Sequence, residues 1–111
     1  LLERLKGKVM SIYLGEADKH GHKPLYRELV ETLHRLGVRG ATVTRGIEGY
    51  GRAGHIHLAS VLRLSEDLPV VVQVLESEEK IKEILPVVEG LLQDGVIAIQ
   101  DAELVFVSQD G

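Results

Sequence analysis

The order of its periodic segments leaves this chain few folds. Residues 8–16, KVMSIYLGE, set Met10, Ile12 and Leu14 against Ser11 and Tyr13. Alternation with period two predicts a strand. ADKHGHK follows as a polar loop. In PLYRELVETLHRLG, Leu25, Leu29, Leu33 and Leu36 recur at helical spacing, with Val30 beside them. That stripe predicts an amphipathic helix, with Pro24 suited to its first turn and Gly37 to the left-handed residue that ends it. GATVTRGI, residues 40–47, is β-branched and reads as a second strand. A long insertion comes next. HIHLASVLRL within it alternates like a strand, although a short helix also fits, and SEDLP is a turn. PVVVQVLE is a nearly unbroken apolar run, predicted to be a central strand buried on both faces. A second helix starts at the N-cap Ser77, with Glu78 and Glu79 against its dipole. Ile81, Ile84, Leu85, Val88, Leu91 and Leu92 form its apolar face, and Pro86 is expected to kink or split it. Gly95 closes the connection. VIAIQDAELVFV supplies a last strand or two short ones, with Asp101 near a bulge or turn.

Strand, helix, strand, insertion, strand, helix, strand is the β-α-β-β-α-β order of the ferredoxin-like α+β sandwich. Its antiparallel sheet carries both helices on one face. At 111 residues the chain has room for one such core, so a single domain spanning 1–111 is expected. The strands carry apolar residues on both faces: Val71 and Val105, but also Val72 and Leu104. A lone domain would leave one such face in water, and self-association is the simplest cover for it.

Composition excludes several functions. The chain has no cysteine, so thiol catalysis, disulfides and cysteine metal sites are absent. A net charge of -4 argues against nucleic acid as the partner. No apolar run approaches the roughly 20 residues of a membrane span, and no signal-peptide pattern is visible. A cytoplasmic protein without direct membrane insertion is therefore expected. The lack of asparagine, with abundant Glu, Lys and Arg, is a thermophile habit.

Glycine is concentrated in RGIEGYGRAGH, residues 45–55. Backbone N–H groups without side chains beside them can cradle an anion, and Arg45 and Arg52 suit phosphate. Tyr50 could stack on a base. The stretch matches neither a P-loop nor a dinucleotide fingerprint, and glycines that serve turns only are the plainer reading. Two histidine pairs, His20 with His22 and His55 with His57, would make a divalent-metal site if their loops met. Surface histidines without metal are the commoner outcome, and no metal residues are assigned. His34 belongs to a helix surface. Ser11 with Asp18 and a histidine, or Glu16 with Asp18 as acid and base, can be written down as catalytic groups, but no spacing demands either. The expectation is a protein that is not an enzyme.

At GATVTRGIEGYGRAGH the sequence resembles the PII signal-transduction family. Thr42-Val43-Thr44 and Gly49-Tyr50-Gly51-Arg52 are similar to the second strand and the start of that family's exposed T-loop. YLGEADKHGHKPLY, RGIEGYG and LRLSEDLPVVV resemble more closely the PII-like group catalogued as domain of unknown function 190, over residues 8–107. The resemblance implies a homotrimer with clefts between subunits that bind an adenine-nucleotide effector. It also implies a loop that controls a partner such as a membrane transporter or an enzyme. Carried over residue by residue, it implies ligand contacts at Thr42, Gly49, Gly51 and Arg52, and at Asp94-Gly95 in a second phosphate loop. Arg45 and Arg63, from outside that carry-over, or Arg52 within it, are the cations that could substitute for any the PII pattern lacks here. Two features depart from the PII pattern. Val96 stands where PII proteins have lysine, and the paired arginines of the PII C-terminal strand are missing from AELVFVSQDG. The competing expectation is a cation-tolerance type of trimer that uses the loop histidines.

Overall fold

The computed structural model describes residues 1–50, 57–58 and 67–109. Its elements are β1 (Leu2–Gly15), β2 (Lys19–His20), β3 (Lys23–Pro24), α1 (Leu25–Arg35), β4 (Ala41–Arg45), β5 (Glu48–Gly49), β6 (His57–Leu58), β7 (Pro69–Ser77), α2 (Glu78–Leu91) and β8 (Val96–Val107). The main sheet has the order β4-β7-β1-β8, antiparallel throughout. That is the ferredoxin-like arrangement. No helix among the described residues is long and apolar enough to cross a membrane.

One face of the sheet and both helices enclose the core. Met10, Ile12, Val70, Val72 and Val74 project from the strands to meet Leu29, Leu33, Ile84 and Val88. The helical stripes are those read from the sequence, with Val30, Leu36, Leu85, Leu91 and Leu92 packed at the margins. Directly paired residues share a face. The other face therefore carries Tyr13 and Val96 beside Val71, and Ser11 beside Gln73 and Ala98. No helix covers it. β7 is thus central but not buried on both faces: Val71 is half-buried, and Gln73 and Leu75 are exposed. Its apolar run reflects an interior position plus one open face.

Four local expectations are corrected. Polar ADKHGHK holds a two-residue hairpin, β2 with β3, turned at Gly21 with φ 62°. Pro24 is the N-cap of α1 rather than a residue of its first turn. Pro86 does not split α2, which runs unbroken through it. Both Pro86 and Lys82, whose carbonyl loses its N–H partner there, are exposed, so water replaces the missing bond. β8 is one long strand whose register with β1 is continuous, and Asp101 sits inside it opposite Lys8 with no bulge. Ser77 caps α2 as read, accepting from the Lys80 N–H at 3.2 Å. Gly37 and Gly95 take φ 82° and 143°. At Gly95 a Cβ would also lie 2.6 Å from the Tyr13 carbonyl oxygen. Within HIHLASVLRL only His57–Leu58 is described, as β6. The rest of that segment lies outside the described residues.

The sequence pattern missed how far the sheet extends. β1 and β8 pair from Leu2↔Val107 to Tyr13↔Val96, whereas β7 stops at Ser77 opposite Gly7. Beyond Gly7 the two strands form a ribbon. Arg39 clasps it to the turn between α1 and β4, with the guanidinium 4.2 Å from the Phe106 ring centroid and 3.1 Å from Glu3. Buried Glu76 accepts the Arg39 N–H and the Ser77 N–H, both at 2.9 Å.

Candidate functional site

Of the expected ligand residues, Arg45 and Asp94-Gly95 lie at the end of the sheet where β1 and β4 finish and β7 and β8 begin. Thr42 lies in β4 opposite Gln73, on the open face, and is exposed. Arg45 ends β4 opposite Val70, on the helix side. One strand therefore presents its two candidate residues to different faces.

The chain leaves and re-enters the sheet through a tightly bonded stem. The Gly46 N–H donates to the Pro69 carbonyl at 2.7 Å, and the Glu16 N–H to the Leu68 carbonyl at 2.8 Å. The Ala17 N–H reaches Asp67 Oδ1 at 3.3 Å. The Pro69 ring explains two of the glycines: a Cβ on Gly46 or Gly49 would lie 2.9 or 3.1 Å from its Cγ. Gly49 then pairs with His57, and Glu48 with Leu58, in a short ladder that begins the excursion. Gly51 and Arg52 lie outside the described residues.

Glu16 reaches over the start of β7, and the Arg45 guanidinium donates from Nη2 to its Oε2 at 2.5 Å. The remaining oxygen, Oε1, is buried without a hydrogen bond among the described residues. Asp18 does not pair with Glu16 as acid and base. Its Oδ2 accepts the Gly15 N–H at 3.0 Å and shapes the turn that leads toward α1. Ser11 is buried in mid-strand, away from that turn, and no triad forms. The Glu16–Arg45 contact was missed from sequence because its partners are 29 positions apart. Only the strand order brings them together.

Asp94 and Gly95 form the turn into β8, where Asp94 Oδ1 accepts the Gly95 N–H at 3.0 Å. This turn lies at the same end as Arg45 but on the other edge strand. β4 and β8 are separated by β7 and β1, three strand spacings or roughly 14 Å. One chain does not bring Thr42 and Arg45 together with Asp94-Gly95. His20 lies in β2, His22 in the adjoining turn and His57 in β6, and His55 is outside the described residues. No group of three or more metal-ligating side chains occurs among the described residues.

The opposite end of the sheet holds a cavity of about 640 Å³ at the root of the ribbon, lined by Arg4, Lys6, Lys8, Glu78, Asp101 and Glu103 among others. Its charges are largely matched. Lys8 pairs with Asp101 and lies 3.5 Å from Glu78, and Arg4 lies 3.9 Å from Glu103. The Asp101 hydrogen bond raises the Lys8 pKa, and the same bond lowers that of Asp101.

Comparison with known proteins agrees with this architecture. The chain is 36% identical over 102 residues to a UPF0166 protein of Aquifex aeolicus, covering 92% of this chain and 96% of that one. It is 38% identical over 101 residues to a UPF0166 protein of Methanocaldococcus jannaschii, covering 90% and 93%. Among solved structures it resembles CPII of Thiomonas intermedia K12, a nitrogen regulatory PII-like protein bound to ADP, AMP and bicarbonate. The TM-score is 0.62 at 20% identity over 92% of this chain and 91% of that one. The model of the family described as uncharacterized ACR, domain of unknown function 190, matches residues 7–104. With that match and those relatives, the chain belongs to the family of domain of unknown function 190.

Proposed function

We propose that the chain is one subunit of a non-enzymatic PII-like regulatory trimer working in the cytoplasm. In this reading each cleft between subunits takes an adenine nucleotide, and the glycine-rich excursion after β4 signals its occupancy to a partner such as a transporter or an enzyme. The observation that carries the reading is the division of the candidate site. Arg45 on β4 and Asp94-Gly95 before β8 share one end of the sheet yet lie on opposite edges. Two edges of different copies would join what a single chain keeps apart. The uncovered face with Tyr13, Val71, Leu75 and Val96 supplies apolar surface for that association. CPII, which shares the fold, holds ADP and AMP.

Val96 and the missing C-terminal arginines bear on which nucleotide fits. Charge-assisted contacts are among the strongest in phosphate recognition. With fewer of them, ADP or AMP suits the cleft better than ATP. Calorimetric titration with ATP, ADP, AMP and cyclic AMP, with and without magnesium, tests this. Saturable binding of ADP or AMP at up to one site per chain, weakened in Arg45→Ala and in Arg52→Ala, is the expected result. No binding of any of the four would overturn it.

A further inference from the structure

The Glu16–Arg45 pair is poorly explained as a stabilising contact. The Arg45 side chain is 62% exposed, and an ion pair with one partner in water adds little to folding. Against that small gain stands Glu16 Oε1, buried and without a donor among the described residues. A buried acceptor left unpaired carries its full desolvation penalty. An apolar side chain of similar volume would avoid both the penalty and the buried charge.

What the pair does provide is orientation. The Glu16 backbone is tied to Leu68 and the next residue after Arg45 to Pro69, so the carboxylate stands on a rigid stem. It holds one edge of a flexible side chain through Nη2. Among the described residues no other acceptor engages Arg45. The Arg45 side chain is largely exposed, at the sheet end where Asp94-Gly95 also lies.

We propose that Glu16 is a positioning residue for phosphate recognition: it fixes the Arg45 guanidinium so that the N–H donors it does not itself engage present a planar fork to a phosphoryl group of the ligand. The inference rests on the reading of this sheet end as the nucleotide site. It makes a prediction of opposite sign to simple electrostatics. Removing Glu16 makes the site more positive, which by charge alone strengthens anion binding. If orientation dominates, binding weakens, because a guanidinium gains most when its fork is already set.

The test titrates the full chain with pyrophosphate and with ADP, comparing the wild type with Glu16→Gln, Glu16→Asp and Arg45→Lys. Glu16→Asp keeps the charge but withdraws the carboxylate by one methylene, and it serves if Glu16→Gln fails to fold. In parallel, the Nε–H signal of Arg45 is followed by nitrogen-15 NMR without ligand. All three variants are expected to lose about tenfold in affinity for both probes, the scale of one charge-assisted hydrogen bond. The Arg45 signal is expected to lose order in Glu16→Gln, with no fall in melting temperature. Pyrophosphate binding that depends on Glu16, without ADP binding, would overturn the nucleotide reading and leave this one standing. Variants at Glu16 that bind as tightly as the wild type or more tightly would overturn the inference. So would a wild type that binds neither probe.

Discussion

Gly7 is where the four-stranded sheet becomes a two-stranded ribbon, and adding one methyl group there tests the packing of that junction. A Cβ at this position would lie 2.4 Å from Leu104 Cδ1 and 2.6 Å from the Glu76 carbonyl oxygen. The first contact can be relieved by turning a side chain. The second is backbone and cannot move without shifting the end of β7. Gly7 is not among the residues with positive φ, so Gly7→Ala introduces no dihedral strain and isolates the steric term. Overpacking of this kind costs about 1–3 kcal/mol. The loss of a flexible glycine from the unfolded chain offsets about 0.4–1 kcal/mol of that. The expected net loss is about 1–2 kcal/mol, or roughly 4–16 °C in melting temperature for a domain near this size. Thermal unfolding followed by circular dichroism, at one fixed protein concentration because self-association would shift the midpoint, measures it. Leu104→Ala in the same background should recover only the side-chain part, so the two changes should be less than additive. If Gly7→Ala melts at or above the wild-type temperature, the close approach of β7 and Leu104 to Gly7 is not as described.

Three further outcomes are expected. Ser77→Ala removes the cap that accepts the Lys80 N–H and should lower stability by about 1 kcal/mol in urea titration. The Thr32 hydroxyl, then Lys23, holds the Glu28 carboxyl below its ordinary value of 4.5. A carboxyl depressed in the folded state contributes fully above that ordinary value and loses its contribution as pH falls through the lowered one, so Glu28→Gln should flatten the acid limb of stability below about pH 4.5. Tyr13→Glu places a charge on the open face where the tyrosine is 47% exposed. It should leave the single chain folded while sedimentation shows a smaller species than the wild type.

The frame of the molecule was legible because it is written in local periodicity. Both helical stripes and the four main strands follow from spacing, and Ser77, Gly37 and Gly95 act as their residue types dictate. What escaped is non-local. The ribbon was missed because Leu1–Gly7 lacks strong alternation; its strand character comes from pairing with β8. Asp101 suggested a bulge because a carboxylate is unusual in mid-strand, but Lys8 on the neighbouring strand neutralises it. At the candidate site Arg45 and Asp94-Gly95 lie at one end of the sheet but on opposite edges, while Glu16 stood out only as an acid–base partner for Asp18 and not as a partner of Arg45. Its role depends on Arg45 across β7, and no spacing within either segment records that. Gly46 and Gly49 read in the sequence as glycines for turns or for an anion cradle, whereas the nearby constraint on both is the Pro69 ring.

The continuous pairing of β1 with β8 sets a timetable for folding. β1 has no sheet neighbour close to it in sequence. One flank waits for β7, and the other is zipped to the far end of the chain, where the Leu1 amino group meets the Ser108 carbonyl 107 positions away. Long-range pairing of this kind closes large loops before any contact rewards them, which slows folding. During synthesis β1 emerges before the other described elements and must keep Met10, Ile12 and Leu14 from other chains until β7 and α2 exist to cover them. The α1–β4 segment cannot shield them alone, because its strand docks on β7 and not on β1. The interior of this sheet is therefore completed last, and protection of β1 amides in a pulse of hydrogen exchange should arrive only with that of β7.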